Sequence, residues 1–514
     1  MEVILKDTTF RDGIQQRGIE ATEIPEVLRA IKAIDNLGIH YHEVGFAVSD
    51  EASRERIRAA CCLDLQGKIS AFGRTHRSDV QALIDLKVPV GTLVGKTRSN
   101  DAVNGLRVDL DRNLSLISES VSALVSSGIE VIYDAEHAFQ AFLEDDSSYA
   151  LQTLEAALVA GAKWLVLCDT NGKMKPTDIS EVLNMVKDYI PIEQIGIHTH
   201  NDRGRAIANA EIALSFGIGL FEGTIGGFGE RTGNMDLCNF MANAHFDFNV
   251  ENISPSHLKV LRQTYLFICD VLNTTPQPNL PWVGENAFYT EAGMHQSGNA
   301  RIQGNYFHAD PEIVGNKEEV GVTNQSGRAN LSTKASEFGF DIQGEQLDEV
   351  ARVYQKLVDF GGDFGLADAS FYLWLLRQIK KMPENLPEFV YFRAIVEKKA
   401  NQEVTTEASL RLRIKGERKL FNADGDGPVN ALDEVLRRTL RRRYPDLMHV
   451  RLNDFKVRIV DSGRGTAAKV RVRISFIDGI KSWTTMAVHE NIIEASWEAL
   501  WDGYMYKLVV NGSH

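Results

Sequence analysis

The sequence predicts an α/β fold: a (β/α)8 TIM barrel, then small helical connecting subdomains, then a C-terminal α+β domain. Three observations predict it. Eight short β-branched apolar runs alternate with amphipathic stretches over about the first 230 residues, the size of such a barrel. The runs are nearly continuous in apolar character, as parallel strands covered on both faces require. Polar clusters stand at the C-terminal ends of several different runs, where a barrel builds its site, and this favours a barrel over a doubly wound open sheet.

In chain order the strand candidates are Val3–Thr9, Tyr41–Phe46, Ile69–Gly73, Val88–Gly95, Val131–Glu136, Trp164–Thr170, Ile195–His200 and Leu220–Gly226. Between them Glu23–Leu37, Leu110–Ser126, Tyr149–Ala160, Thr177–Asp188 and Arg205–Phe216 carry apolar residues at three- and four-residue spacing, the mark of a helix with one buried face. Gly38, Gly128, Gly161 and Gly217 follow such stretches and can supply a left-handed C-terminal residue. A further helix is read in the stretch from Glu251 to Leu272, then a Pro-rich extended connection, TTPQPNLPWVGENAF, then a polar Gly-rich region from Tyr289 to Asn330 and helices to about Lys381. Strands at Ala408–Ile414, Asp454–Val460, Ala468–Ile474 and Trp483–Val488, with helices at Val429–Tyr444 and Asn491–Val509, suggest a separate domain. The expected divisions are 1–265, 266–400 (mostly helical) and 401–514.

The chain has 514 residues, 44% hydrophobic and 25% charged, with a formal net charge of -14. Such a chain has no bulk attraction for nucleic acid or anionic lipid, so an anionic substrate must be held by local charge. Its five cysteines form no CxxC pair, which argues against a disulfide framework or a zinc–thiolate site. The opening MEVILKDTTFRDG lacks a signal-peptide core, and no apolar run approaches a membrane span. The expectation is a cytoplasmic protein that engages neither membrane nor nucleic acid.

On a strand, residues i and i+2 share a face, so His198 and His200 would both point into the barrel near the end of the seventh strand. Two imidazoles on one face suit a divalent ion, although HxH alone is equally compatible with a polar core layer. His40 and His42 share that spacing but stand at the start of the second strand, and are read as structural. The first strand closes on Asp7–Gln15; in a closed barrel it neighbours the eighth, which lies beside the seventh, so Asp12 can reach the same ion. Arg11 can hold a substrate oxygen in its planar fork. The loop Gly226–Asn234 lets the backbone approach a ligand, and Asn234 offers an amide oxygen. Glu136, ending the fifth strand, is a candidate acid/base or orienting group, and Thr170, ending the sixth, can hydrogen-bond a substrate carboxylate; each taken alone is also an ordinary turn or cap residue.

Together these residues resemble the DRE-TIM metallolyase superfamily, in its branch of 2-isopropylmalate, homocitrate and citramalate synthases. The likeness rests on FRDGIQ (Phe10–Gln15), HTHNDRGRAIANA (His198–Ala210) and GERTGN (Gly229–Asn234). It continues through GMHQSG (Gly293–Gly298), YFHADPEIVGN (Tyr306–Asn316), SGRAN (Ser326–Asn330), GDGPVNALDEVL (Gly425–Leu436) and Arg451–Val472. YDAEH, CDTNG, DPEIVGN and the tail from Asn491 to Leu508 resemble the citramalate type.

The resemblance implies an acyltransferase that condenses acetyl-CoA with a 2-oxo acid, with hydrolysis of the thioester. Pyruvate, giving (R)-citramalate, is the first choice; a larger aliphatic or aromatic 2-oxo acid, as in an isopropylmalate- or benzylmalate-type synthase, is the alternative. It implies Asp12, His198, His200 and Asn234 in or near the shell of a magnesium or manganese ion, with zinc also compatible. Arg11 would stabilise the oxyanion, with Gln15, Glu43 and Thr170 at the 2-oxo acid and Glu136 near the acetyl group. Gly227, Gly229 and Glu230 would form the loop at CoA. His295, the expected base, and Tyr306 would complete a site shared across a homodimer. The C-terminal domain would take an end-product amino acid as allosteric effector. Three departures stand out: Phe10 where leucine is usual, Glu26 where lysine is common, and Gly45–Glu51 in place of a Trp- and Pro-containing loop. The last bears on the 2-oxo acid pocket. A CoA-thioester lyase of the same superfamily is disfavoured because GGFGERTGN lacks a cysteine. A metal-dependent amidohydrolase would carry HxH on its first strand, and a non-catalytic amino-acid sensor would not need the intact ligands. The basic run Arg437–Arg443 is read as a solvated helix face.

Overall fold

The computed structural model describes residues 2–19, 23–290, 307–320, 328–360, 364, 367–400, 403–460, 462–478 and 481–512. These divide into two compact units, 2–288 with 307–318, and 289–290 with 319–512.

The first unit is a closed barrel of eight parallel strands in sequential order. They are β1 (Ile4–Asp7), β2 (Tyr41–Phe46), β3 (Lys68–Arg74), β4 (Val90–Lys96), β5 (Glu130–Glu136), β6 (Trp164–Asp169), β7 (Ile195–Thr199) and β8 (Leu220–Gly223). Closure is direct: β1 pairs with β8 in the register Ile4↔Leu220 and Lys6↔Glu222. The four glycines expected to terminate helices have φ between 77° and 103°.

Strand alternation separates two apolar sets. Leu5, Val44, Leu93, Tyr133, Leu167, Ile197 and Phe221 pack outward with the helices in one large core. Tyr41, Val90, Ile132, Val166 and Leu220, with Ile4 packed against them, form a separate small cluster that plugs the lower barrel. Two residues further along five of these strands stand Lys6, Glu43, Thr92, Asp134 and Glu222, all buried. A dry floor thus carries a layer of charged and polar groups, and the mouth opens above it.

Phe288 and Phe307, at the two ends of the segment that carries His295 and Tyr306, lie with ring centroids 5.7 Å apart, and Phe288 stacks on His308 at 5.1 Å. His295 and Tyr306 themselves lie outside the described residues. No helix among the described residues is long and apolar enough to cross a membrane.

The second unit opens with a short parallel pair, β9 (Tyr289–Thr290) and β10 (Glu319–Val320). It then holds two three-stranded antiparallel sheets, β11 (Glu388–Lys398), β12 (Val404–Ile414) and β13 (Glu417–Gly425), and β14 (Arg451–Ile459), β15 (Val470–Ile477) and β16 (Ser482–His489). Helices Pro428–Arg441 and Ile492–Asn511 pack on the sheets. Two of these strands depart from the sequence reading. β11 pairs along its length with β12, so the sheet begins before residue 400, inside the stretch read as helical. β13 returns through Lys415–Gly416, both at positive φ, the signature of a two-residue primed hairpin turn. In the basic run Arg437 and Arg438 pair with Asp433 and Glu434, Arg441 donates to the carbonyls of Leu447 and Val450, and Arg438, Arg442 and Arg443 are exposed.

A Cβ added at Gly503 would fall 2.1 Å from the buried ring of Phe476. Overpacking of this kind costs about 1–3 kcal/mol. Gly503→Ala is therefore expected to lower the stability of the C-terminal unit by roughly that amount, read as a shifted denaturant midpoint, with the barrel transition unmoved.

Candidate active site

Three strand ends converge at the mouth. After β1 the chain turns tightly: the N–H groups of Arg11, Asp12 and Gly13 all donate to the Thr8 carbonyl, at 3.1, 2.8 and 3.2 Å. That turn aims Asp12 at β7. Asp12 Oδ2 lies 3.3 Å from His198 Nε2, and His198 Nε2 lies 3.3 Å from His200 Nε2. Donor atoms of Asp12, His198 and His200 all fall within 4.8 Å of one another, and all three side chains are buried. His200 forms an isolated antiparallel bridge with Asn234.

Burial alone would raise Asp12, but Arg11 and the two imidazoles hold its carboxyl well below the usual carboxylate range. Burial likewise lowers His198, yet hydrogen bonds with Asp12 and Glu222 carry it up to about 10. His200 is pushed down to about 3 by burial and by the charge on His198. His200 Nδ1 and both amide atoms of Asn234 are buried without a hydrogen-bond partner. A carboxylate, two imidazoles and an amide oxygen left unsatisfied make a mixed N/O donor set that fits a divalent cation.

Arg11 is 10% exposed. Its Nε pairs with Glu43, its Nη1 lies 3.3 Å from Asp12 Oδ2, and its Cζ sits 4.4 Å above the Phe72 ring. Glu43 is buried, and Arg11 and Lys6 hold it below the usual carboxylate range against the upward push of burial. Thr170 accepts from the His137 N–H at 2.8 Å, which leaves its own hydroxyl proton to donate. Glu136, at the mouth of β5, pairs with Lys96.

The glycine-rich loop folds onto Asn234. A Cβ on Gly229 would meet the Asn234 amide at 2.7 Å, and one on Gly233, at φ 94°, would meet the Gly227 carbonyl at 2.0 Å. Glu230 is exposed and lies 3.3 Å from Arg231, which bridges to Asp202. Gln15 is exposed and is not drawn into the cluster; its neighbour Gln16 accepts from the Gly229 N–H at 3.3 Å. His42 binds Asp35 at 3.1 Å and His40 accepts from the Leu5 N–H, at the far end of the barrel.

Sequence reasoning missed Glu222, Lys6 and Lys96. Glu222 Oε2 lies 3.1 Å from His198 Nδ1 and Glu222 Oε1 2.7 Å from Lys6 Nζ. The available signal was a lysine and a glutamate inside runs read as buried strands, where a charge persists only beside a counter-charge.

Three family profiles match the chain: HMGL-like over residues 2–263, homocitrate synthase post-HMGL domain-like over 282–361, and LeuA allosteric (dimerisation) domain over 366–508. The (R)-citramalate synthase of Aquifex aeolicus is 37% identical, the alignment covering 99% of this chain and 98% of that protein. The (R)-citramalate synthase of Geobacter sulfurreducens is 37% identical over 98% and 97%. The 2-isopropylmalate synthase of Methanocaldococcus jannaschii is 28% identical over 98% and 94%. A closed barrel with this convergent mouth, continuous likeness to these enzymes and all three profiles in order place the chain in the HMGL-like family, in its branch of 2-isopropylmalate, homocitrate and citramalate synthases.

Proposed function

We propose that the protein condenses acetyl-CoA with pyruvate to give (R)-citramalate and free CoA. The observation that carries this reading is the convergence of Asp12, His198 and His200 beside Arg11 at the barrel mouth; the names of the relatives support the substrate pair. Asp12, His198, His200 and Asn234 would hold a magnesium, manganese or zinc ion, which supplies Lewis acidity to the ketone. Arg11, fixed by Glu43, directs its remaining N–H groups at the keto oxygen, where negative charge develops. Thr170 donates its hydroxyl to the 2-oxo acid carboxylate. A proton leaves the acetyl methyl for His295, aided by Glu136 and Tyr306. The methyl carbon bonds to the keto carbon, the keto oxygen gains a proton, and water cleaves the thioester to release the CoA thiol. Gly227, Gly229 and Glu230 would border the CoA. His295 and Tyr306 would come from the second subunit of a homodimer, and an end-product amino acid would regulate through the C-terminal domain.

One observation favours a second reading. Phe46 and Phe72 meet edge-on at 5.4 Å at the strand tops, with Arg11 stacked on Phe72. An aromatic wall beside the keto-binding arginine suits a larger 2-oxo acid. The test is thiol release from acetyl-CoA with glyoxylate, pyruvate, 2-oxoisovalerate and phenylpyruvate, with and without EDTA. Chelator-sensitive release with pyruvate preferred supports the main reading; preference for phenylpyruvate selects the second; chelator-insensitive release throughout rejects both.

A further inference from the structure

Lys6 is fully buried on β1, between Leu5 of the outer core and the buried Asp7. A lysine in that position requires an explanation, because a buried ammonium is tolerated only beside counter-charge and hydrogen-bond acceptors. Nζ donates to Glu222 Oε1 at 2.7 Å and to Thr92 Oγ1 at 3.0 Å, and it forms an ion pair with Glu43 Oε2 at 2.9 Å. The two carboxylates reach in different directions with their other oxygens. Glu222 Oε2 lies 3.1 Å from His198 Nδ1, and Glu43 Oε1 receives Arg11 Nε. One ammonium therefore stands at the junction of two arms, one ending on an imidazole of the cation site and the other on the guanidinium. Thr92 is itself tied to Ser70 at 2.9 Å, so the junction is anchored to β3 and β4 as well. Groups that orient a metal-binding histidine typically change metal affinity by about 10–100-fold when removed.

We propose that Lys6 is a positioning residue that sets His198 and Arg11 together, fixing the metal-binding and the oxyanion-binding halves of the site relative to each other through Glu222 and Glu43. It touches no reacting atom. Without its charge, Glu222 and Glu43 lose the one cation they share, and the buried layer that also holds Asp134 keeps its carboxyl groups with only His198 and Arg11 at its edges, so the two arms are free to repel and to swing. This inference rests on the synthase reading above.

The experiment measures Mn2+ affinity by equilibrium dialysis, and kcat and KM for pyruvate separately, on wild type, Lys6→Met, Glu222→Gln and Glu43→Gln. Glu222→Gln is expected to weaken Mn2+ binding about 10–100-fold with a small change in pyruvate KM. Glu43→Gln is expected to lower kcat at saturating Mn2+ about tenfold, with a smaller rise in pyruvate KM, and to leave Mn2+ binding within about twofold. Lys6→Met is expected to show both effects at once, which a lysine that merely fills the core would not produce. Should Lys6→Met fail to fold, Lys6→Met/Glu222→Gln removes one charge of each sign and is expected to fold and still lose Mn2+ affinity and, at saturating Mn2+, kcat. The proposal is overturned if a folded variant lacking Lys6 keeps both quantities within about twofold of wild type, or if neither variant folds, since the lysine then serves folding alone. If wild type does not bind Mn2+ in a manner that His200→Ala removes, the metal reading itself fails and the role of Lys6 falls with it.

Discussion

His200→Ala is expected to lower kcat/KM for thiol release by at least about a thousandfold while leaving the melting temperature nearly unchanged. The magnitude follows from what the residue contributes. Lewis-acid activation is worth several kcal/mol at the transition state, and each ~1.36 kcal/mol is a factor of ten. The small stability change follows from geometry. His200 sits at the mouth, its Nδ1 has no hydrogen-bond partner, and its closest polar contact is the other imidazole at 3.3 Å. Its removal costs one imidazole–imidazole hydrogen bond, and His198 keeps its contacts with Asp12 and Glu222. His42 provides the internal control. It has the same HxH spacing, but its ring is bound to Asp35 at 3.1 Å at the opposite end of the barrel, and the same carboxylate receives the Gln66 and Gly67 N–H groups. His42→Ala is expected to cost about 1–3 kcal/mol of stability, the usual penalty for leaving a buried polar partner unmet, with kcat altered by less than about threefold. Thermal melts and thiol-release kinetics on the two variants give opposite patterns. A His200→Ala enzyme with a tenth or more of wild-type kcat/KM would remove the cation from the reading of this site.

The same pair of motifs shows what the chain discloses before it is folded. HxH at 198 and 200 and HxH at 40 and 42 share one spacing. Their place on their strands tells them apart, since a barrel builds its site at the C-terminal ends of its strands. Barrel order, in turn, follows from hydrophobic runs and glycine stops, which are local properties, so topology alone sets Asp12 beside His198, 186 positions away in sequence. What escapes such reading is non-local in a stricter sense. Lys6 and Glu222 face each other because β1 and β8 close in one particular register, Lys6↔Glu222, and a slip of one residue would turn one of the charges into the outer core. Period-2 patterning gives the face of a strand but not its register. The C-terminal sheets are harder to read for another reason. β11 buries little of either face, so its sequence, EFVYFRAIVEK, shows no clean alternation.

Arg11→Lys is expected to reduce kcat by about 10²–10³ while Mn2+ affinity stays within about threefold, a pattern that separates the oxyanion arm from the cation arm. The substitution keeps the charge and alters only its form. Removing a donor aimed at a developing oxyanion costs roughly that factor. The guanidinium is held at three points that an ammonium cannot meet together: Nε on Glu43, Nη1 at 3.3 Å from Asp12, and the planar face at 4.4 Å over Phe72. Lysine has one charged atom and no plane, so it can satisfy Glu43 or the substrate oxygen, but not both while stacked on the ring. Glu43 is buried and accepts Arg11 Nε, so the substituted ammonium is expected to turn down toward this carboxylate and away from the mouth. The pyruvate KM then rises less than kcat falls, because Thr170 and the cation still hold the carboxylate. Asp12 loses a cationic neighbour only in part, which is why metal affinity moves little. Steady-state kinetics with pyruvate varied at saturating acetyl-CoA, set beside Mn2+ dialysis, distinguish the two arms. A kcat within about threefold of wild type would mean that the keto oxygen is served by another donor, and the charge-stabilising role would pass from Arg11 to whichever group supplies it.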